Sequence, residues 1–313
     1  MLFLERLGPR ARAIAARPMT AATPAPADLR TLRRARIAIA VGVVALAFAA
    51  IFFRRTAPTP PLVAAGLRLV LASLLFAPFA ARRLRTLSPA IWRDAALGGL
   101  CYALHFGAWV TSLALTTVAA SVTLVTATPL LLAIVAFATK RDRPTPRQLL
   151  AIPVALVGTA MLGGSDAFSS DALLGDALAF VGAIAMAGYL LVVRRHGEQL
   201  PVLAFATIAC GTGGVVLLGT AAAVGLPLVP PTAEAALFVV LATLLPQLVG
   251  HTALTWALRH VPPTTIGLAT VAEPVGATLL AWLWLHEVPS ALALAGCTIT
   301  LVSVLLAFRS TST

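Results

Sequence analysis

The chain has 313 residues, of which 59% are hydrophobic and only 11% charged, and its mean hydropathy is +0.95. A soluble protein carries about 25% charged residues, so this composition excludes an ordinary soluble domain and indicates an all-α integral membrane protein. The formal net charge is +12, but almost all Lys and Arg lie between apolar runs with few aromatic residues beside them, which argues against nucleic acid as a partner and makes the charge a marker of membrane topology.

The first 35 residues are rich in arginine and contain no long apolar run. We expect residues 1–35 to form a disordered cytoplasmic tail whose arginines help to hold the N-terminus inside, with a transit peptide as the minor alternative. No cleavable signal peptide is recognisable. Met19 is followed by Thr-Ala-Ala-Thr-Pro, which is typical of a natural start. We therefore hypothesise that residues 1–18 are a mis-assigned extension, with either Met1 or Met19 as the true start.

Apolar runs predict ten membrane spans joined by short connections that proline and glycine punctuate. The predicted spans lie near residues 37–53, 60–80, 94–115, 118–138, 146–163, 172–193, 201–224, 235–257, 264–285 and 291–308. Alternate loops carry the cations, and one side of the membrane receives 20 of the 23. Because cytoplasmic loops carry the excess of Lys and Arg, both termini are predicted to be cytoplasmic.

The two halves of the chain repeat each other. Aligning Pro129 with Pro274 also brings Asp142 onto Glu287 and Leu149 onto Leu294, each 145 residues apart. Ten spans divide into two fives, and an odd number of spans per copy requires the second copy to insert upside down. Inverted repeats are the architecture of secondary transporters, whose substrate site lies at the midplane between the halves. Residues 36–164 and 172–309 are the predicted repeats.

The hairpin from Ala272-Glu273-Pro274 through His286-Glu287-Val288-Pro289 to Gly296 resembles the closing hairpin of the drug/metabolite transporter superfamily, in its EamA-type, ten-helix branch. The first half resembles it through Thr128-Pro129, Asp142 and Gly158, and Gly66-Leu67-Arg68 resembles the arginine that often opens the second helix of that family. The resemblance covers about residues 36–308. It implies export of small metabolites, amino acids or drugs across a bacterial cytoplasmic membrane, and it leaves the substrate open. His286 stands where the family usually has glycine.

Two predicted spans carry a polar face, which is what a shared aqueous cavity needs. In span three the face comprises Tyr102, His105, Trp109, Ser112 and Thr116. In span eight it comprises Thr243, Gln247, His251 and Thr255. The alternative is that Ser and Thr let membrane helices approach closely and that the aromatic residues pack or anchor at an interface. We predict a cavity lined by spans three, four, eight and nine, with Tyr102, His105, Trp109, Gln247 and His251 as candidates.

Glu273 is the deepest acid in the chain, about 14 Å into its helix at 1.5 Å per residue. It is a candidate for the cavity and for carrying a proton, and a structural role in helix packing is equally open. Pro129 and Pro274 are predicted helix breaks, because proline frees a carbonyl one turn earlier. Arg68 is a candidate for binding a carboxylate, with pairing to helix-end carbonyls or to Asp176 as the alternative. Asp94, Asp176 and Glu234 are predicted to be solvated.

Motifs of hydrolases, nucleotide-binding proteins and metalloenzymes are missing from the sequence, so an enzyme is not predicted. Cys101, Cys210 and Cys297 lie in apolar runs and are odd in number, which argues against disulfides and metal sites. The sequence therefore predicts a multi-pass transporter without cofactor or metal, whose partners are a small-molecule substrate and the lipid bilayer. The alternatives are an intramembrane enzyme, a scaffold or a channel. The oligomeric state stays open and a monomer is compatible.

Overall fold

The computed structural model describes residues 29–163, 170–286 and 288–308. The predictions for residues 1–28, and for Glu287 in the last turn, concern residues outside these ranges. The described residues form helices and contain no strand. In chain order the α-helices are α1 (Leu29–Ala47), α2 (Ala49–Arg55), α3 (Pro61–Leu84), α4 (Pro89–Leu115), α5 (Val118–Val125), α6 (Thr128–Thr139), α7 (Pro146–Gly163), α8 (Ser170–Arg194), α9 (Val202–Ala223), α10 (Ala233–Ala242), α11 (Thr252–Ala257), α12 (Pro263–Thr270), α13 (Glu273–Leu285) and α14 (Ala291–Phe308).

Two further segments complete the described helices. A short 3-10 helix, Gly197–Gln199, follows α8, and a π-helix, Thr243–His251, joins α10 to α11. The π-helix contains Pro246, which has no N–H to donate to a carbonyl of the preceding turn. The sequence predicted one membrane span over residues 235–257, and the structure widens the middle of that span into a π-helix. π-helical turns are frequently found at functional sites.

Eight helical segments of the described chain are long and apolar enough to cross a membrane, by length and composition. Two more, Pro146–Met161 and Ala291–Ala307, are apolar but shorter, and they coincide with predicted spans five and ten. The first helix begins at Leu29, whereas the predicted span began at residue 37. Residues 29–35 are therefore helical and not part of a disordered tail, because arginine is a good helix former and Ala35 is buried.

Two of the long helical segments are interrupted in their middle, each just before a proline. Thr126 and Ala127 separate α5 from α6, and Val271 and Ala272 separate α12 from α13. Pro129 and Pro274 then occupy the first turn of the helix that follows each break, where a missing N–H costs nothing. Both predicted helix breaks thus coincide with interruptions of the described helices.

The elements of the second half repeat those of the first at a constant offset. The starts of α5, α6 and α7 are each followed 145 residues later by the starts of α12, α13 and α14. Helix pairing repeats as well. Helix α3 packs on α9, α7 on α14, and α4 on α8, while the π-helix and α11 pack on α1. If every helix in these pairs is replaced by its counterpart in the other half, the same set of pairs results. The described helices therefore form a two-repeat bundle.

The helices approach closely where they carry small residues. Gly158 of α7 faces α14, and a Cβ atom added there would lie 2.5 Å from Thr300 Oγ1 and 2.8 Å from the Thr300 backbone nitrogen. Such contacts replace the hydrophobic effect, which does not drive helices together in lipid, as the source of packing energy. Polar side chains of both halves lie in the interior of this bundle, where the two repeats meet.

Candidate functional site

One cavity lies between the two repeats and offers a volume of about 50 Å³ to the centres of water molecules. That space suffices for a few waters or one small polar group, since a water needs roughly 10–15 Å³ measured in this way. Residues of both halves line it. Its polar lining consists of His105, Trp109, Thr126, Thr128, Tyr189, His251, Thr255, Thr270 and Glu273. The four sequence candidates His105, Trp109, His251 and Glu273 therefore meet at one cavity.

His105 of α4 presents a hydrogen-bond acceptor to the cavity. Its Nδ1 lies 2.9 Å from the Gly182 carbonyl oxygen of α8. A carbonyl only accepts, so Nδ1 carries the proton and the Nε2 atom of the neutral ring is an acceptor. Gly182 lets α8 pack closely on α4 here, because an added Cβ atom would lie 3.3 Å from the Trp109 Cβ atom. The ring of His105 is thus oriented by the neighbouring helix.

Trp109, one turn further along α4, adds a donor. Its ring lies parallel to that of His105 at 5.9 Å between centroids and meets the edge of Phe53 at 5.7 Å. The indole Nε1 is buried and has no hydrogen-bond partner among the described residues. Because an indole N–H usually finds a partner when it is buried, this donor is available to a ligand in the cavity.

The opposite wall is formed by the π-helix, α11 and α8. His251 ends the π-helix and meets the Phe106 ring edge to face at 5.3 Å, while Thr255 bonds the Tyr189 hydroxyl at 3.1 Å. Tyr189 in turn stacks on Tyr102 at 4.0 Å between ring centroids. Aromatic contacts therefore fix the side chains that surround the polar groups.

Glu273 lies at the break between α12 and α13, in the first turn of α13. Its side chain is buried, and no hydrogen bond or ion pair joins its carboxylate to another residue in the described ranges. The helix N-terminus favours a negative charge at this position. Pro274 cannot donate to the carbonyl of Thr270 four residues earlier, and Thr270 also lines the cavity.

Arg68, Gln247 and Tyr102 were predicted to line the cavity and instead lie behind its wall. Arg68 is completely buried, and its Nη2 donates to Gln247 Oε1 at 2.8 Å. The guanidinium lies over Phe106 at 4.4 Å and over Phe53 at 5.3 Å from the ring centroids. The alternative that Arg68 pairs with Asp176 is not seen, because no hydrogen bond or ion pair joins these two side chains in the described residues. Tyr102 is held away from the cavity by its stacking on Tyr189.

Arginine contacts join the helices at both ends of the bundle. At one end Arg54 donates to the Thr116 carbonyl at 3.0 Å and Arg55 pairs with Glu234. At the other end Arg194 bonds both carboxylate oxygens of Asp142 at 3.2 Å and the Leu258 carbonyl at 3.0 Å. The cavity therefore lies between two cross-linked ends.

Two acids near the helix ends differ from the prediction that they are solvated. Asp94 is buried and contacts His196 Nε2 at 3.3 Å and Arg93 at 3.1 Å. Asp176 is partly buried, and its Oδ1 has no hydrogen-bond partner in the part of the chain that the structure describes. Glu234, by contrast, is exposed and paired with Arg55. The ends of the spans are more closely packed than loop composition suggests.

Two walls of the cavity, formed by the first helical segment and by α8, were not predicted from the sequence. The first helical segment contributes Leu46 and Ala49, and α8 contributes Met186, Tyr189 and Leu190. The apolar residues carry no signal that separates lining from packing. Tyr189 does carry one, because it is one of only two tyrosines in the chain and it lies inside an apolar span.

The profile of the EamA-like transporter family matches residues 33–164 and again residues 173–309. One solved structure, described as the crystal structure of a protein, covers 89% of this chain and 99% of its own length with a TM-score of 0.72. At 20% identity that likeness concerns the fold alone. No curated protein matches.

Proposed function

We propose that this chain, which belongs to the EamA-like transporter family of the drug/metabolite transporter superfamily, is a secondary transporter of small solutes. The observation that carries the proposal is the polar cavity between two family repeats, with His105 and Trp109 from the first repeat and His251 and Glu273 from the second. A carrier needs a binding site that both halves share, because their relative movement exposes it to one side and then the other.

The proposed mechanism is alternating access of two inverted five-helix repeats, with all ten helical segments crossing the membrane. The arginine contacts at the two ends are the proposed closures on either side of the cavity. Opening one end breaks the contacts of Arg194 with Asp142 and Leu258, and opening the other breaks those of Arg54 and Arg55. Each closure consists of a few hydrogen bonds or ion pairs, and the free energy of solute binding can offset the cost of breaking them.

Small metabolites, amino acids or drugs are the proposed solute classes, moved outward across a bacterial cytoplasmic membrane with both chain termini inside. A cavity with room for a few waters favours solutes at the small end of this range, or one polar group of a larger solute. The balance of acceptors at His105 and Glu273 with one donor at Trp109 favours a solute that is itself polar.

Saturable counterflow in proteoliposomes tests the proposal. A thermal-shift screen of the purified chain against metabolite pools first identifies a ligand, because binding to the folded state alone raises its apparent stability. Vesicles loaded with that ligand should then draw in labelled ligand transiently above its equilibrium level. A channel would give flux without counterflow, and a scaffold or an intramembrane enzyme would give no flux, so either result would refute a carrier.

A further inference from the structure

We propose that the Glu273 side of the cavity is a binding site for a monovalent cation, which the transported solute supplies as a primary ammonium group. The inference rests on the proposed transport function for the origin of the cation. The site itself is argued from the described residues. It differs from a general polar cavity in that a carboxylate, three threonine hydroxyls and His105 offer it acceptors.

The Glu273 carboxylate provides the negative charge. It is 9% exposed, it lines the cavity, and no described residue donates a hydrogen bond to it. An ionised carboxylate that is buried without a partner is unfavourable, so the site gains free energy from any cation that pairs with it there. Pro274 has no N–H, so the Thr270 carbonyl four residues earlier lacks the hydrogen bond that an ordinary helix would give it.

Three threonines beside Glu273 have their hydroxyl protons committed elsewhere. Thr126 Oγ1 donates to the Val122 carbonyl at 2.8 Å, Thr128 Oγ1 to the Val125 carbonyl at 3.1 Å, and Thr270 Oγ1 to the Gly267 carbonyl at 2.8 Å. A hydroxyl has one proton, so each of these oxygens has only lone pairs left for the cavity. His105 Nε2 is an acceptor for the same reason, since Nδ1 holds the ring proton.

A ligand that matches this arrangement must bring donors and positive charge. A primary ammonium group has three donors and no acceptor, which is the complement of a carboxylate surrounded by hydroxyl and carbonyl oxygens. A sodium ion has the same preference for oxygen ligands and is the second source of such a cation. The Trp109 Nε1 donor gives the ammonium-bearing solute a place for its own acceptor, which a bare ion lacks.

Arg68 limits the charge that the site accepts. Its guanidinium already places one positive charge in the bundle interior, where Phe106 and Phe53 lie against its faces, and it does not line the cavity. Glu273 is the one acid among the described residues that line the cavity. One added positive charge pairs with the carboxylate, whereas a divalent ion leaves a further charge unpaired in a medium of low dielectric constant. The site is therefore monovalent.

Thermal shift on the purified full chain tests the site with small primary amines, each compared with its N-acetylated derivative. Sodium, choline and calcium chlorides are further arms. We expect amines to raise the unfolding midpoint and the acetylated compounds not to, because acetylation removes the charge. Glu273→Gln should weaken apparent amine affinity roughly 30-fold or more. Glu198→Gln, which alters an exposed acid outside both the cavity and the proposed closures, is the matched control and should keep the shift.

The arms give distinct outcomes. Equal shifts from amines and acetylated derivatives, or amine shifts that survive in Glu273→Gln, would overturn the site. A Glu273-dependent shift from sodium that matches that of the amines supports it with the free ion as source, and a larger shift from calcium contradicts monovalency. If Glu273→Gln does not fold, wild-type protein is treated with a carbodiimide, which activates buried carboxyl groups, and peptide mass spectrometry follows the fraction of unmodified Glu273, because an activated carboxyl becomes either the acylurea or the amide of the added amine. Amines should protect Glu273 and acetylated compounds should not.

Failure of the cation site and failure of transport are separable. Glu273-dependent amine binding without counterflow would refute the proposed carrier and leave the site standing. Counterflow of a solute that lacks any cationic group, unaffected by Glu273→Gln, would refute the site and leave the carrier standing. A proton as the sole occupant would appear as carbodiimide labelling that no amine changes.

Discussion

Arg68 donates its Nη2 hydrogen bond to Gln247 Oε1, so a helix of the first repeat and the π-helix of the second repeat hold one buried charge between them. Gln247 in turn lies 3.4 Å from Cys210 Sγ through its Nε2 atom. The remaining Arg68 Nε and Nη1 donors have no partner in the described residues, and the Phe106 and Phe53 rings lie against the guanidinium. The contact with Gln247 is therefore the one strong hydrogen bond described for this charge.

Replacing Gln247 by leucine should destabilise the protein by about 2–3 kcal/mol, because Arg68 then loses its hydrogen bond to a side-chain oxygen while its charge stays buried. The double variant Arg68→Met with Gln247→Leu should recover most of that loss, since both polar partners are gone. Denaturation of wild type, both single variants and the double variant in matched detergent measures the effect. Additive losses in the double variant would show that the contact contributes nothing.

Replacing Trp109 by phenylalanine tests the free indole donor. The aromatic contacts with His105 and Phe53 are largely kept, so the unfolding midpoint should change little. Affinity for the solute found by screening should fall roughly 3- to 10-fold, the value of one hydrogen bond. Trp92→Phe, at an exposed position, is the control and should leave affinity unchanged. A Trp109→Phe protein with wild-type affinity would mean that the donor is unused.

Replacing Gly158 by alanine tests the close contact of α7 with α14. The new Cβ atom would meet the backbone nitrogen of Thr300 at 2.8 Å, which side-chain rotation cannot relieve. Overpacking of this kind costs typically about 1–3 kcal/mol. Gly219→Ala is the matched control, because no atom lies within 4 Å of its added Cβ. Equal unfolding midpoints for the two variants would contradict the described packing.

Replacing Lys140 or His286 by glycine should stabilise the chain. Both residues end a helix with φ at 57°, in the left-handed region, where a side chain costs about 1–2 kcal/mol. Part of that gain is lost to the greater freedom of glycine in the unfolded chain, so we expect about 0.5–1 kcal/mol from each change. Thermal unfolding measures it, and the alanine variants, which keep a Cβ atom, should show no gain. A destabilised glycine variant would contradict the turn geometry.

The repeat and its breaks could be predicted from the sequence because they depend on local chemistry. Pro129 and Pro274 remove an N–H wherever they lie, and the 145-residue offset is a property of the chain itself. These features need no knowledge of neighbouring helices.

The arrangement around Arg68 could not be predicted in this way. Whether Arg68 reaches a cavity or a partner behind it depends on Phe106 and Phe53, which read as ordinary packing residues in the sequence. The π-helix was missed because a helical period of about four residues is shared by regular and widened turns. Tyr102 occupies the predicted face of α4, yet its stacking on Tyr189 decides where the side chain goes.

The break in the second repeat carries Glu273, whereas the equivalent position of the first repeat carries Thr128. A symmetric assembly of two identical halves would carry two carboxylates at these positions or none. Joining the halves in one chain permits a single one, and this fixes the stoichiometry of the proposed cycle at one cation for each turn of the carrier. If the carboxylate returns empty and ionised, each turn moves one net charge for a singly charged solute. The asymmetry of one residue pair would then make the cycle sensitive to membrane voltage, and an inside-negative voltage would oppose the outward movement of the cation.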